Sequence, residues 1–176
     1  MVFALVAMFA TEAMAQQRGN GQARPSPNAA VSQTIGTTVV DITYGRPSLR
    51  GRDVNTLIND RANGPVWRTG ANEATAITLS ADAMIGGKEV KAGTYSMYTI
   101  PGDGEWTIII NKKMSWGTQY DEAQDVVRVK GSTFELPYDV ETFAIYFDTI
   151  SNDKAHLNLT WGKIGVAVPI TVPAGE

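Results

Sequence analysis

Apolar and polar residues alternate along most of the chain from Ala29 onward. One such segment contains Val40, Ile42 and Tyr44, separated by polar residues. The same period of two recurs in four later segments: Ile77 and Leu79; Val127 and Val129; Phe143, Ile145 and Phe147; and Leu157, Leu159 and Trp161. Because successive side chains of a β-strand point to opposite faces, each segment predicts a strand with one buried face. Residues 94–100 and 106–110 are more continuously apolar, which favours central strands.

Glycine, proline and asparagine separate these segments. Gly86-Gly87 predicts a two-residue hairpin turn, because glycine accepts a positive φ, and residues 101–104 (Pro-Gly-Asp-Gly) predict a second hairpin connection. Further turns are expected at Pro137, Asn152-Asp153 and Gly162. Long helices between strands are missing from the pattern, so a parallel α/β arrangement does not fit it.

Two short segments have helical spacing instead. Asp53 can cap a helix near residues 53–59, in which Val54, Leu57 and Ile58 share one face. A second short helix is predicted at residues 119–126. We therefore predict an all-β fold: a single antiparallel β-sandwich of about nine or ten strands over residues 28–172, with one or two short helices.

The N-terminus has a different character. Residues 2–10 are an unbroken apolar run, followed by Ala13-Met14-Ala15. A run of this length before a small-x-small triplet predicts a signal peptide, residues 1–15, with cleavage after Ala15. No positive residue precedes the run, which leaves open a start upstream of Met1. Residues 16–27 predict a flexible spacer with solvated arginines at 18 and 24. We expect an exported protein, periplasmic or extracellular, with no transmembrane segment after cleavage.

The composition excludes several kinds of metal and catalytic site. The 176 residues include no cysteine and one histidine, which excludes disulfides, thiolate metal sites and multi-histidine metal centres within one chain. A formal charge of -3 argues against nucleic acid as a partner. The usual nucleophile and phosphate-binding motifs do not occur. We predict no cofactor, no metal and no identifiable catalytic residue.

Several longer segments occur together and in a fixed order. They read YGRPSLRGR at residues 44–52, VWRTGANE at 66–73, GTYSMYTIPG at 93–102 and EWTIIINK at 105–112, followed by Trp116-Gly117, Tyr120-Asp121 and residues 125–129. On these segments the chain, over roughly residues 28–170, resembles the secreted bacterial family catalogued as domain of unknown function 2911. The resemblance implies an exported all-β domain of Gram-negative bacteria. It implies no agreed activity and provides no catalytic residues.

Arginines are concentrated in one region. Five of the eight lie within residues 46–68, at positions 46, 50, 52, 61 and 68, where only Asp53 and Asp60 oppose them. Guanidinium groups suit carboxylates, phosphates and sulfated sugars, so Arg46, Arg50, Arg52 and Arg68 predict an anion-binding site. Alternatively, these arginines pin a long loop by pairing with Asp53, Asp60 and Glu73.

Residues 67–73 combine aromatic, cationic, amide and acidic side chains. Trp67 could stack on a sugar ring while Asn72 and Glu73 bind hydroxyl groups. Trp67 could equally belong to the core. We expect residues 44–52 and 67–73 to converge at one end or edge of the sandwich. The predicted ligand-binding residues are Tyr44, Arg46, Arg50, Arg52, Trp67, Arg68, Asn72, Glu73 and Trp116.

These features favour a non-catalytic ligand-binding or cell-envelope-associated module whose partner is a glycan or another anionic small molecule. A carbohydrate hydrolase with paired carboxylates is the alternative, with Glu73 facing Asp121 or Asp41. Asp121, Glu122 and Asp125 also form an acidic patch that could hold calcium, although its spacing differs from the EF-hand pattern.

Overall fold

The computed structural model describes residues 21–59 and 63–173 of the chain. Within these residues nine strands form one sheet in which every pairing is antiparallel. They are β1 (Asn28–Ile35), β2 (Thr38–Gly45), β3 (Thr75–Leu79), β4 (Ala83–Ile85), β5 (Lys88–Val90), β6 (Gly93–Ile100), β7 (Glu105–Asn111), β8 (Asp125–Asp148) and β9 (Lys154–Thr171). Their order in the sheet is β1-β2-β3-β6-β7-β8-β9-β4-β5. The predicted all-β sandwich is confirmed. The predicted signal peptide and its cleavage site lie outside the described residues.

The sheet closes into a sandwich because β8 and β9 are long and bend together. Their register shifts between Glu135 and Val140 and again before Ala144. Opposite Val140, Gly162 has a φ of 57°, a conformation that glycine adopts without steric cost. Beyond this corner, residues 46–49 hydrogen-bond to residues 141–143 of β8, which joins the end of β2 to the second half of β8.

Two predicted turns are wrong for the same reason. Pro137 and Gly162 lie inside β8 and β9, at the bend, and do not separate strands. Proline lacks an N–H to donate to a strand ladder, so it fits where the β8–β9 pairing is interrupted. Residues 127–129 and 143–147, which the alternation predicts as separate strands, are therefore parts of one strand.

The helical predictions have different outcomes. α1 (Val54–Ile58) confirms the first, and the side chain of Asp53 accepts a hydrogen bond from the backbone N–H of Asn55 at its N-terminus. At residues 119–126 the structure has only a 3₁₀ turn, Glu122–Gln124, after which β8 begins at Asp125. Pairing of Asp125 with Asn111 of β7 ends the turn. No helix within the described ranges is long and apolar enough to cross a membrane.

Aromatic side chains dominate the centre of the sandwich. Trp67 stacks on Trp161, with ring centroids 5.8 Å apart and planes 16° apart, and contacts Phe143 and Trp106 edge-on. Tyr44 packs edge-on against Phe143. α1 covers this cluster by directing Val54 and Ile58 towards it, and the remaining void is only about 10 Å³. A void of this size holds at most about one water molecule, so this void is not a ligand pocket.

Candidate functional site

The two segments predicted to converge, residues 44–52 and 67–73, lie side by side. The backbone of Gly45 at the end of β2 packs so closely on Ala71 that a Cβ at position 45 would overlap the Ala71 carbonyl oxygen. A Cβ at Gly70 would likewise lie 2.9 Å from the carbonyl oxygen of Gly45. Antiparallel pairing of β2 with β3 places the end of β2 beside the start of β3, so both segments lie at one end of the sandwich.

Two of the predicted ligand-binding residues belong to the core. Trp67 is 2% exposed and Tyr44 3%. The Tyr44 hydroxyl accepts a hydrogen bond from the backbone N–H of Ile145 in β8, at 3.0 Å. A sugar-stacking role for Trp67 does not fit this burial, because Trp161 stacks on the ring and Phe143 and Trp106 make T-shaped contacts with it. Trp67 is therefore a core residue, as the alternative interpretation predicted.

The arginines after β2 bind backbone carbonyl groups. Arg46 Nε donates to the Phe143 carbonyl oxygen at 2.8 Å, and Arg50 Nη2 donates to that of Pro25 at 2.9 Å. Arg52 donates to the carbonyl groups of residues 48 and 49. These contacts favour the loop-anchoring interpretation, with carbonyl oxygens in place of the expected carboxylates. Asp53 instead caps α1, and the predicted partners Asp60 and Arg61 lie outside the described residues.

Arg68, Asn72, Glu73 and Trp116 form a second group. Glu73 and Trp116 face each other across a β-bridge, the Asn72 carbonyl accepts from the N–H of Gly117, and the Arg68 side chain packs along Gly117. Trp116 is 45% exposed, so this tryptophan is accessible to a ligand.

The segment expected to be a spacer contributes to this group. Arg24 Nη1 donates to both Glu73 carboxylate oxygens, at 2.9 and 2.8 Å, and the Arg24 side chain is only 22% exposed. The prediction that Arg24 is solvated is therefore wrong. Asn72 Nδ2 also donates to the Ser26 carbonyl oxygen at 3.1 Å. The segment before β1 thus binds the Asn72 amide and the Glu73 carboxylate, the two groups that were predicted to bind a sugar.

The acidic patch is organised around Arg128. Asp125 accepts hydrogen bonds from Arg128, Tyr120 and Asn111, at 2.7 Å each, and Glu122 pairs with Arg128 at 2.9 Å. Asp121 caps the 3₁₀ turn through the N–H of Ala123. In the part of the chain that the structure describes, no three His, Cys, Asp or Glu side chains are grouped as metal ligands would be. Of the three carboxylates suggested for a hydrolase, Asp121 accepts this capping hydrogen bond and Glu73 pairs with Arg24.

Tyr120 predicts a loss of stability at high pH. Burial, and then the hydrogen bond to Asp125, raise the pKa of Tyr120 to about 12 from 10.0. The folded protein therefore retains the phenol proton more strongly than the unfolded chain, and this stabilisation is complete below about pH 10 and lost as the pH rises through about 12. In urea unfolding between about pH 8 and pH 12, we expect the wild type to lose more free energy of unfolding than Tyr120→Phe. Equal losses would contradict the prediction.

A cleft that the sequence did not reveal opens beside α1. Its volume is about 650 Å³, within the roughly 300–1,000 Å³ typical of ligand sites. We call it the cleft. Its lining consists of Asn55 and Ile58 of α1, Asn59 at the C-terminal end of α1, residues 101–104 of the β6–β7 turn, Trp106, residues 133–135 of β8, and Lys163 and Ile164 of β9. The sequence predicted the turn and α1 as separate elements, but not that they line one cleft, because the bend of β8 and β9 brings these segments together.

The walls of the cleft carry both ring and polar groups. Phe134 lies over Gly165, its partner on β9, so closely that a Cβ at position 165 would overlap the ring. Phe134 is nevertheless 39% exposed. Trp106 closes the floor and is 5% exposed. Asp103, Glu135 and Lys163 are exposed, and their side chains have no hydrogen bond or ion pair to the described residues.

Comparison with known proteins places the chain in a family. A family model described as a protein of unknown function, DUF2911, matches residues 26–170. No curated protein and no solved structure matches the chain. The matched range runs from before β1 to within one residue of the end of β9, so the resemblance that the motifs indicated is confirmed.

Proposed function

The chain belongs to the DUF2911 family of proteins of unknown function, and we propose from the geometry of the cleft that it is a non-catalytic module that binds a glycan. The observation that carries the proposal is an exposed aromatic ring, Phe134, beside polar side chains that have no hydrogen bond or ion pair to the described residues. At the end of the sandwich formed by residues 44–52 and 67–73, by contrast, the polar groups of Arg46, Asn72 and Glu73 are already bound within the chain.

The chemistry of the cleft suits a sugar. Sugar rings have apolar C–H faces that pack on aromatic rings, and their hydroxyl groups both donate and accept hydrogen bonds. Phe134 provides the ring, and Asn55, Asp103 and Glu135 provide amide and carboxylate groups. Two carboxylates and one ammonium, that of Lys163, leave the cleft with a formal charge of -1. The cleft itself therefore favours a neutral or amine-bearing sugar over an anion.

Binding fits the cleft better than hydrolysis. A glycosidase needs one carboxylic acid held protonated by its surroundings, usually through burial, and a second carboxylate facing it. Asp103 and Glu135 are both exposed to solvent. Export, which residues 1–15 predict, would place the module where extracellular and envelope glycans occur. We include a periplasmic or extracellular location in the proposal.

A glycan array with the full chain and two matched variants tests the proposal. Phe134→Ala removes the ring from the cleft, and Tyr138→Ala removes a ring that is 63% exposed and does not line the cleft. We expect the wild type and Tyr138→Ala to retain the same glycans. Phe134→Ala should bind about tenfold more weakly, a loss of about 1.4 kcal/mol.

Three outcomes would contradict the proposal. One is the absence of any retained glycan with the wild type, and another is an equal loss with both ring variants. The third is turnover of a retained glycan that disappears in Asp103→Asn, which would favour the hydrolase. Circular dichroism and thermal unfolding of each variant identify a loss of binding that comes from misfolding.

A further inference from the structure

A second depression lies on the outer face of the sheet and is lined by cations. It has a volume of about 580 Å³, and Lys88, Arg128 and Lys130 all contribute to its walls. Thr107 adds a hydroxyl group, and Gly86, Ile100 and Val129 complete the lining. We call it the cationic groove. Lys88 and Lys130 are not among the residues that the sequence predicts to bind a ligand.

Three elements bring these cations together. Arg128 and Lys130 are two positions apart in β8, so they share one face of the sheet, and Thr107 of β7 pairs with Lys130. Lys88 comes from the β4–β5 hairpin, where Gly86 packs against β8. A Cβ at position 86 would lie 2.7 Å from the Cβ of Val129, so this approach requires glycine. The fold therefore brings these three cations together, since they do not form a run of basic residues in the sequence.

The two lysines provide the free charge. Arg128 pairs with Asp125 and Glu122, which offset its charge. Lys130 Nζ donates to Thr107 Oγ1 at 3.2 Å, whereas no described carboxylate lies within 4.0 Å of either lysine ammonium. On a protein with a formal charge of -3, these cations create a local positive field that attracts an anion.

The cationic groove adjoins the cleft. Ile100 and Thr107 are paired in the register of β6 and β7, and both line the groove. The residues between them, 101–104 and 106, line the cleft. One hairpin therefore lies between the two depressions.

We propose that the cationic groove is an anion-binding site for the sulfate or carboxylate groups of an acidic glycan whose sugar rings lie in the cleft. The assignment of the rings rests on the proposed function, whereas anion binding in the groove does not. Ammonium groups and a hydroxyl donor suit such oxyanions, and charged hydrogen bonds are the stronger ones in proteins.

Dextran sulfate and dextran test the groove, because they share one backbone and differ in sulfate. Lys88→Gln combined with Lys130→Gln removes two charges from the groove. Lys112→Gln combined with Lys154→Gln removes two charges from residues that do not line it. By calorimetry with the full chain, we expect wild type and control to bind dextran sulfate, with an affinity that falls as salt increases. The groove variant should bind at least tenfold more weakly, and dextran should show no dependence on these lysines.

Two results would overturn the proposal: no binding of dextran sulfate by the wild type, or an equal loss in the groove variant and the control. On the glycan array, acidic members should be preferred over neutral members of the same backbone. The groove variant should lose that preference and keep its neutral ligands. If dextran sulfate binding depends on the lysines while Phe134→Ala changes nothing on the array, the groove site stands and the glycan assignment of the cleft fails.

Discussion

Replacement of Trp67 by alanine is expected to lower the free energy of unfolding by about 3–5 kcal/mol, the usual cost of removing a buried tryptophan. Trp67 contacts Trp161, Phe143 and Trp106, and only about 10 Å³ of free volume adjoins the cluster. A truncated side chain therefore leaves a cavity that rigid aromatic neighbours on three strands cannot fill. The backbone N–H and C=O of residue 67, which pair with Thr99, are unaffected by the change.

Urea unfolding followed by circular dichroism measures this loss, and Trp116→Ala is the matched control. Trp116 is 45% exposed, so its removal is expected to cost less than about 1 kcal/mol. The comparison separates two tryptophans that the sequence assigned to the same ligand surface. A cost below about 1 kcal/mol for Trp67→Ala, or equal costs for the two variants, would contradict the assignment of Trp67 to the core.

Gly45→Ala is expected to destabilise the protein by about 3 kcal/mol, at the upper end of the usual cost of overpacking. The added Cβ would overlap the carbonyl oxygen of Ala71, and a backbone atom cannot move aside as a side chain can. Relief requires residues 46–52 and 68–73 to separate. That movement would weaken the contacts by which residues 24–27 bridge the two segments: Arg24 with Glu73, Pro25 with Arg50, Ser26 with Asn72, and Pro27 with Arg46.

Gly104→Ala is the control for this substitution. Gly104 has a φ of 77°, so alanine there is strained by about 1 kcal/mol, but its Cβ would meet no atom within 4 Å. The φ of Gly45 lies outside the left-handed region, so any loss there comes from overlap. Thermal and urea unfolding of both variants should show the larger loss for Gly45→Ala. A loss no greater than that of Gly104→Ala would mean that the two segments do not depend on this close contact.

Much of the fold was predictable because alternation is a local property. The apolar members of β2, β3 and the two halves of β8 were recognised individually, and Asp53 identified the start of α1. The bend of β8 and β9 was not recognised, because Pro137 and Gly162 have the same local signature in a turn and in a distorted strand. Only the pairing of the two strands across that bend distinguishes the two cases.

The candidate site was less predictable, since a residue type does not reveal its partner. Arg24 and Glu73 are 49 positions apart, and Arg46 and Phe143 are 97 apart, yet each pair is in contact. The sequence therefore identified the arginines and Trp67 as residue types that can bind a ligand. It did not show that contacts within the protein already occupy them. It overlooked Phe134 and Lys88 because neither belongs to a motif.

The sequence by itself determined the all-β class, the position of the first helix, the family and the exclusion of thiol and multi-histidine chemistry. Each of these depends on local periodicity, ordered motifs or residue counts, which need no knowledge of distant contacts. Only the tertiary structure decided which polar groups are satisfied within the protein and which face solvent. The bend at Val140 and Gly162 and the approach of Gly86 to Val129 bring distant segments together, and those contacts create the cleft and the cationic groove.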